Sequence, residues 1–346
     1  MCDALMSSPS VTVVIPAFNA AEWIGITLSC VVAQTYPKDL LEIVVVDDGS
    51  TDQTAAVVHS LLAPAGIAYD VLRNAESQGP SAARNRGWRH GRSEWVQFLD
   101  SDDLLEPSKI ELQARAAGEA DSGVAALFSP WGRLVSAQGR WLQQTPWVDP
   151  ALGPDPLLDI LRTENFMQIG SLMFSRAWLE KADGFIESYR LIEDVDLLLR
   201  MVMRAGVLQR VPSTRPLSWY RQRAGSLSRE NEQSFIDGCV RNARTVETYW
   251  RDRSELTALR AGTIAEVYFL GARFYAERDP EVFQTLTRDI YRLEPGFLPR
   301  GPVALRLLTQ VVGYTRAERC AVHYRRLKRT LRGAQTVDHA ALHSSQ

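Results

Sequence analysis

Residues 11–16 read VTVVIP, residues 42–47 read EIVVVD and residues 94–100 read EWVQFLD. Each is a short β-branched or apolar run closed by polar residues, the pattern of a strand covered on both faces. AYDVLR at 68–73 is a fourth, and between these runs Ala21–Gln34, Thr51–Leu62 and Pro80–His90 have helical spacing. The alternation predicts an α/β fold, Rossmann-like, with a mostly parallel central sheet flanked by helices. Ligands of such sheets gather beyond the carboxyl ends of the strands. The loops there read PAFNA (16–20), DDGSTD (47–52), NAESQGP (74–80) and DSDD (100–103).

Beyond this block, a helix is expected from Pro107 to about Ala120, then strand-like segments at 124–131 and 133–144. QIGSLMFS (168–175) reads as a strand and EDVDLLLRMVMRAG (193–206) as a helix ending at Gly206. After about Glu230 the chain reads as helical. At 346 residues it exceeds the size at which one core keeps growing, so two units are expected. The segments are placed at 10–228, 229–332 (a C-terminal helical extension) and 333–346 (a tail that frays).

Hydrophobic residues at 45% and charged residues at 23% exclude disordered and collagen-like classes, and a net charge of −2 gives no global reason to expect nucleic acid as partner. Cys2, Cys30, Cys239 and Cys320 lie too far apart for a zinc or disulfide scaffold, which suits a reducing cytoplasm. MCDALMSSPS has no basic and apolar regions of a secretion signal. The longest apolar candidate for a membrane span, Phe297–Tyr314, contains Arg300, Arg306 and two prolines and fails as one.

Asp100, Asp102 and Asp103 crowd the end of an apolar strand, where each close, unrelieved pair costs about 4 kcal/mol at an effective dielectric near 20. A hard divalent cation, Mn²⁺ or Mg²⁺, would relieve this, with a substrate phosphate completing its shell. The alternative is an Asp-rich turn capping the helix at Pro107. In the second acidic loop, Ser50 or Thr51 suits a cap for the following helix, but capping leaves the Asp47–Asp48 pair unexplained. A carboxylate there can accept the imide hydrogen of a uracil ring.

With VTVVIPAFNA (11–20), VVVDDGSTD (44–52), QGPSAARNRG (78–87), FLDSDD (98–103), GFIESYRLIEDVDLLLR (184–200) and WYRQRAGSLS (219–228) in this order, the chain resembles the family 2 glycosyltransferases over residues 10–228. The resemblance implies a GT-A fold and an inverting transfer of sugar from a nucleoside-diphosphate donor, UDP-sugar by preference, to a hydroxyl of a glycan, glycolipid or polysaccharide. It implies that Pro16, Phe18 and Asn19 lie against the nucleotide and that Asp48, beside Asp47, reads the base. Arg84 falls on the nucleotide side, Asp100 near the ribose and metal, and Asp102 on the metal, with Asp103 as a helper. Asp194, after Gly184-Phe185, matches the general base. Locally it is also a favourable acid at a helix start, ahead of a core stripe of Val195, Leu198, Leu199 and Val202.

Where many relatives have His, this chain has Arg223. Guanidinium offers no lone pair to a metal, so Arg221 and Arg223 are diphosphate candidates instead. Trp131, Trp141, Trp147 and Trp219 could include a sugar platform, though large aromatics more often fill cores. The basic end, Arg319 to Arg332 with Val322, Tyr324, Leu327 and Leu331, suits either a solvated helix or peripheral contact with the inner face of a membrane. Two rivals remain. A sugar-1-phosphate nucleotidyltransferase would need a glycine-rich basic loop after the first strand, which PAFNA is not, and a non-catalytic nucleotide- or glycan-binding module would have no use for Asp194.

Overall fold

The computed structural model describes residues 8–137, 139–162, 165–189, 191–223, 231–300, 302–325 and 327. In chain order the elements are β1 (Val11–Ala17), α1 (Ile24–Val32), β2 (Leu41–Asp47), α2 (Thr54–Leu62), β3 (Ala68–Arg73), α3 (Pro80–His90), β4 (Trp95–Phe98) and β5 (Leu104–Leu105). Then follow α4 (Lys109–Glu119), β6 (Val124–Phe128), β7 (Trp131–Ala137), β8 (Arg140–Val148), α5 (Pro156–Leu161), β9 (Leu172–Ser175), α6 (Arg176–Ala182), α7 (Glu193–Met203), β10 (Val207–Arg210) and β11 (Ser218–Gln222). The helices α8 (Glu232–Asp252), α9 (Ala258–Tyr275), α10 (Pro280–Leu293) and α11 (Val303–Val312) complete the named elements. Two compact units divide the chain at Gly238/Cys239, inside α8. The expected boundary at 228–229 and the tail 333–346 lie outside the described residues.

In the first unit, seven strands form the sheet β10-β6-β9-β4-β1-β2-β3, in which only the β9 pairings are antiparallel. β1 is buried along its whole length. One of its faces, Val11, Val13 and Ile15, packs in a core with Ile24, Leu28 and Val31 of α1. On the other side of the sheet, Val44 and Val46 of β2 pack with Ala83 of α3. A strand covered from both sides has no polar face, hence the unbroken apolar runs. α3 lies so close to the sheet that a Cβ on Gly87 would sit 2.3 Å from Val14 Cγ1. Only glycine permits that approach, and it fixes where Arg84, one turn earlier, reaches the strand ends.

A second sheet, β5-β11-β7-β8, stands on the DSDD loop, since β5 follows Asp103 directly. The strand-like segment 133–144 falls in the β7–β8 hairpin, turning at Gly139 with φ 72°. Such a turn favours glycine, which has no Cβ to clash. α2 begins at Thr54, not Thr51, and neither expected residue caps it. Asp52 Oδ1 accepts from Thr54 N at 3.0 Å, while Ser50 Oγ and the Thr51 amide serve Asn19.

The second unit is helical. Phe269, Phe283, Phe297 and Tyr314 form its aromatic cluster, with Phe269, Phe297 and Tyr314 ring centres 5.4–5.9 Å apart. Among the described residues no helix is long and apolar enough to cross a membrane.

Candidate functional site

β1 lies between β2 and β4 in parallel register, with Ala17 opposite Asp47 and Val14 opposite Phe98, so the PAFNA, DDGSTD and DSDD loops leave one edge together. Asn19 takes φ 47°, a left-handed conformation that Asn tolerates. Its amide donates to Ser50 Oγ at 2.9 Å and its Oδ1 accepts from Thr51 N at 2.9 Å, stitching the first loop to the second. Pro16 is buried in β1, whereas Phe18 is 52% exposed on the rim.

The two adjacent aspartates differ. Asp48 is buried and accepts from Asn74 Nδ2 (2.6 Å), Ser77 Oγ (2.8 Å), Gln78 N (3.0 Å to each oxygen) and Gly79 N (2.9 Å). These donors outweigh the cost of its burial and hold the carboxyl below the ordinary carboxylate range. Expected to face a base, this carboxylate in fact spends both oxygens on the loop entering α3. Asp47 Oδ1 accepts from Ser50 N at 2.8 Å, but its buried Oδ2 has no hydrogen-bond partner among the described residues. The nearest cation is Arg73 Nε at 3.8 Å, on a side chain 63% exposed.

Arg84 is the hub. Its guanidinium is buried and donates through Nη1 to Glu193 Oε1 and through Nη2 to Asp100 Oδ1, both at 2.6 Å. Its own charge state is reinforced by the two carboxylates, Asp100 first, against the cost of burial. Two carboxylates, 16 and 109 residues from Arg84 along the chain, therefore meet on one cation. Asp100 is the more open carboxylate of its loop, with 32% of its side chain exposed, against 17% for Asp102.

Asp102 is ion-paired through Oδ2 with Nε of Arg223. Burial, then the charge of Asp100, push its carboxyl up nevertheless. Asp103 has both oxygens engaged within the protein: it is buried, accepting from Arg221 N at 2.9 Å and Gln168 Nε2 at 2.6 Å. Its expected role as a metal helper gives way to one of joining the small sheet to the acidic loop. Accordingly, no three His, Cys, Asp or Glu among the described residues converge as a metal cluster. Arg221 is enclosed as well, donating through Nε to Asp102 O and through Nη2 to Thr27 Oγ1 at 3.1 Å, over the Trp23 ring. Of the two diphosphate candidates, Arg223 is the open one, 33% exposed. The remainder of its motif, 224–228, lies outside the described residues.

Asp194 stands in the first turn of α7, half-buried, its Oδ1 accepting from Val195 N at 2.8 Å. Burial first, then Glu193, raise its carboxyl to about 7, partly countered by Arg84, and the charge of Asp100 also reaches it. A carboxyl that titrates near neutrality suits proton transfer. The expected stripe is corrected: Leu198 and Leu199 are buried with Leu197 and Met201, but Val195 and Val202 are only partly so, and Glu193 and Asp196 are buried instead. Apolar periodicity missed Glu193, since a buried acid has the same signature as a solvated one until its arginine is known. The residue before it, Ile192, takes φ 64°. Asn85, also missed, secures the preceding turn through Phe185 N and O at 2.9 and 2.8 Å.

Asp100, Asp102 and Asp194 thus share one electrostatic neighbourhood, while Asp48 supports it from within. Trp131 and Trp219 are buried, and Trp141 packs edge-on to Trp23 at 6.0 Å, so two of the four platform candidates belong to the core.

The glycosyl transferase family 2 model matches residues 12–182. Over 245 residues the chain is 31% identical to the succinoglycan biosynthesis protein ExoO of Rhizobium meliloti, covering 68% of each chain. It is 29% identical over 197 residues to the poly(ribitol-phosphate) β-N-acetylglucosaminyltransferase TarS of Staphylococcus aureus, covering 56% of this chain and 33% of that one. The crystal structure of S. aureus TarS 1–349 with UDP-GlcNAc superposes with a TM-score of 0.64 at 20% identity, over 94% of this chain and 92% of that one. That likeness shows a common GT-A fold.

Proposed function

Because this chain belongs to glycosyl transferase family 2 and is a glycosyltransferase, we propose that it transfers a sugar, with inversion, from a UDP-sugar to a hydroxyl of a glycan, glycolipid or polysaccharide. The observation that supports this reading is the Arg84 hub, which joins Asp100 to Glu193; next to Glu193 in the first turn of α7 stands Asp194, whose carboxyl titrates near 7 and feels the charge of Asp100. Asp194 takes the acceptor hydroxyl's proton as that oxygen attacks the anomeric carbon. The bond from this carbon to the diphosphate breaks on the opposite face, its electron pair leaving with the nucleotide. UDP is favoured as carrier because TarS, a relative in sequence and fold, is described in complex with UDP-GlcNAc.

We assign base contact to Asp47, not Asp48. Its buried Oδ2 is the oxygen of the two carboxylates that accepts no hydrogen bond among the described residues, and it lies beneath the exposed Arg73 side chain. Phe18 and Asn19 form the neighbouring wall. Arg223, partly exposed and paired with Asp102, is assigned to a diphosphate oxygen. Mn²⁺ or Mg²⁺ suits Asp102 and Asp100, two oxygen donors; burial first and then the charge of Asp100 keep the Asp102 carboxyl raised even with Arg223 beside it. When bound, such an ion would stabilise charge on the departing diphosphate.

A panel of nucleotide sugars tests the reading, with nucleotide release as one measurement and Mn²⁺-dependent thermal stabilisation as another. A UDP-sugar should give both, and Asp194→Asn should abolish release while retaining stabilisation. Stabilisation by UDP without release from any donor, in both proteins, would favour a non-catalytic binding module. No response to any nucleoside diphosphate would sink both.

A further inference from the structure

α11 lies within the apolar segment that is too short and too interrupted to span a membrane, and it leaves one apolar face uncovered. Leu305 and Thr309 point inwards, 8% and 4% exposed. On the opposite side Val303, Leu307 and Val311, spaced four apart, are 68%, 57% and 82% exposed. Aromatic residues on either side fix the helix in this orientation: Phe297 before it and Tyr314 after it meet in the aromatic cluster of the second unit, ring centres 5.9 Å apart. The face is therefore built into the fold.

Its surroundings are cationic. Between Pro295 and Leu327 the sequence has Arg300, Arg306, Arg316, Arg319, Arg325 and Arg326 against a single acid, Glu318, which is buried and paired with Arg325 at 2.7 Å. Arg306, Arg316 and Arg319 are exposed. Arg300 is held near Glu266 at 2.6 Å, while its side chain remains 78% exposed. Sequence alone pointed further on, to the terminal basic helix. There Tyr324 and Leu327 are exposed, but Val322 is buried and Arg325 is engaged by Glu318 and Glu277, and Leu331 and the basic residues 328–332 lie outside the described residues.

We propose that α11 docks on an anionic lipid surface, lying in the interface with Val303, Leu307 and Val311 inserted and the neighbouring arginines on lipid phosphates. Insertion of aliphatic side chains combined with the exposed positive charge of Arg306, Arg316 and Arg319 favours an anionic bilayer over a second copy of this chain, whose equivalent face would bring the same arginines together. The surface would hold the enzyme beside lipid-borne acceptors, and it stands independently of the donor chemistry.

The full chain should float with phosphatidylcholine vesicles containing phosphatidylglycerol, release at high salt, and bind poorly to phosphatidylcholine alone. Leu307→Glu with Val311→Glu should weaken binding at least about tenfold. Arg306→Glu with Arg319→Glu, which leaves the apolar face intact, should weaken it on the anionic vesicles only. Nucleotide release and thermal stabilisation by UDP should be unchanged in both, and a melting profile confirms folding. Failure of the wild-type chain to bind anionic vesicles, equal binding by either variant, or a wild-type dimer that the apolar double variant converts to monomer would overturn the proposal.

Discussion

Replacing Asp194 by asparagine should make the protein inactive and, above neutral pH, more stable. The substitution keeps the side-chain shape and removes a charge. In the native state this carboxyl titrates at about 7 against an ordinary 3.8. At about 1.4 kcal/mol per pH unit, its ionised form costs the fold at most about 4 kcal/mol. Asp194 is only half-buried, shares its shift with Glu193 and gains about 0.3–1 kcal/mol from the helix start, so a net effect on the order of 1–2 kcal/mol is expected. Because the folded value lies above the unfolded one, the stability associated with the protonated form is fully present below about pH 4 and is lost as the pH rises to about 7. Asparagine suffers no such loss. Urea unfolding should give equal stabilities near pH 4 and a more stable variant near pH 8, while nucleotide release falls by about 10²–10⁴. A variant equally destabilised at both pH values, or one that still turns over, would remove Asp194 from the reaction.

Glu193→Gln takes a negative neighbour from Asp194 and lowers its carboxyl value, so the acidic limb of kcat/KM should move to lower pH, which a pH–rate profile reads directly. Gly87→Ala puts a Cβ 2.3 Å from Val14 Cγ1 and 3.2 Å from Val46 Cγ2. It should cost about 1–3 kcal/mol in urea unfolding, and an unchanged midpoint would mean that α3 is not tightly seated. Arg223→Ala removes the partly exposed cation beside Asp102 and should weaken UDP binding by about ten- to a hundredfold in calorimetry, consistent with a charged hydrogen bond of about 1.5–3 kcal/mol.

The parallel sheet was legible because β1 and β2 are covered on both faces and so have no polar alternation. Loop positions followed, since the acidic residues sit at strand ends. What each carboxylate does was not legible. Asp103 turns inward because the amide of Arg221 arrives from β11, and Asp48 because the 74–79 loop folds back over it. Neither partner is a neighbour in sequence. The hairpin at β7–β8 was hidden for a simpler reason: its residues read alike on both sides of Gly139. The uncovered face of α11 was invisible because an apolar stripe implies a core unless its neighbours are known.

Ile192 starts the helix that presents Asp194, in a left-handed conformation that a β-branched residue adopts at a cost of about 1–3 kcal/mol. Evolution toward thermal robustness in the laboratory would find glycine or asparagine here an easy gain. The same relaxation would let the first turn of α7 wander, loosening the grip of Glu193 on Arg84. Selection for heat tolerance alone should therefore enrich changes at this position among survivors whose turnover has declined, while selection for transfer should leave the awkward isoleucine in place.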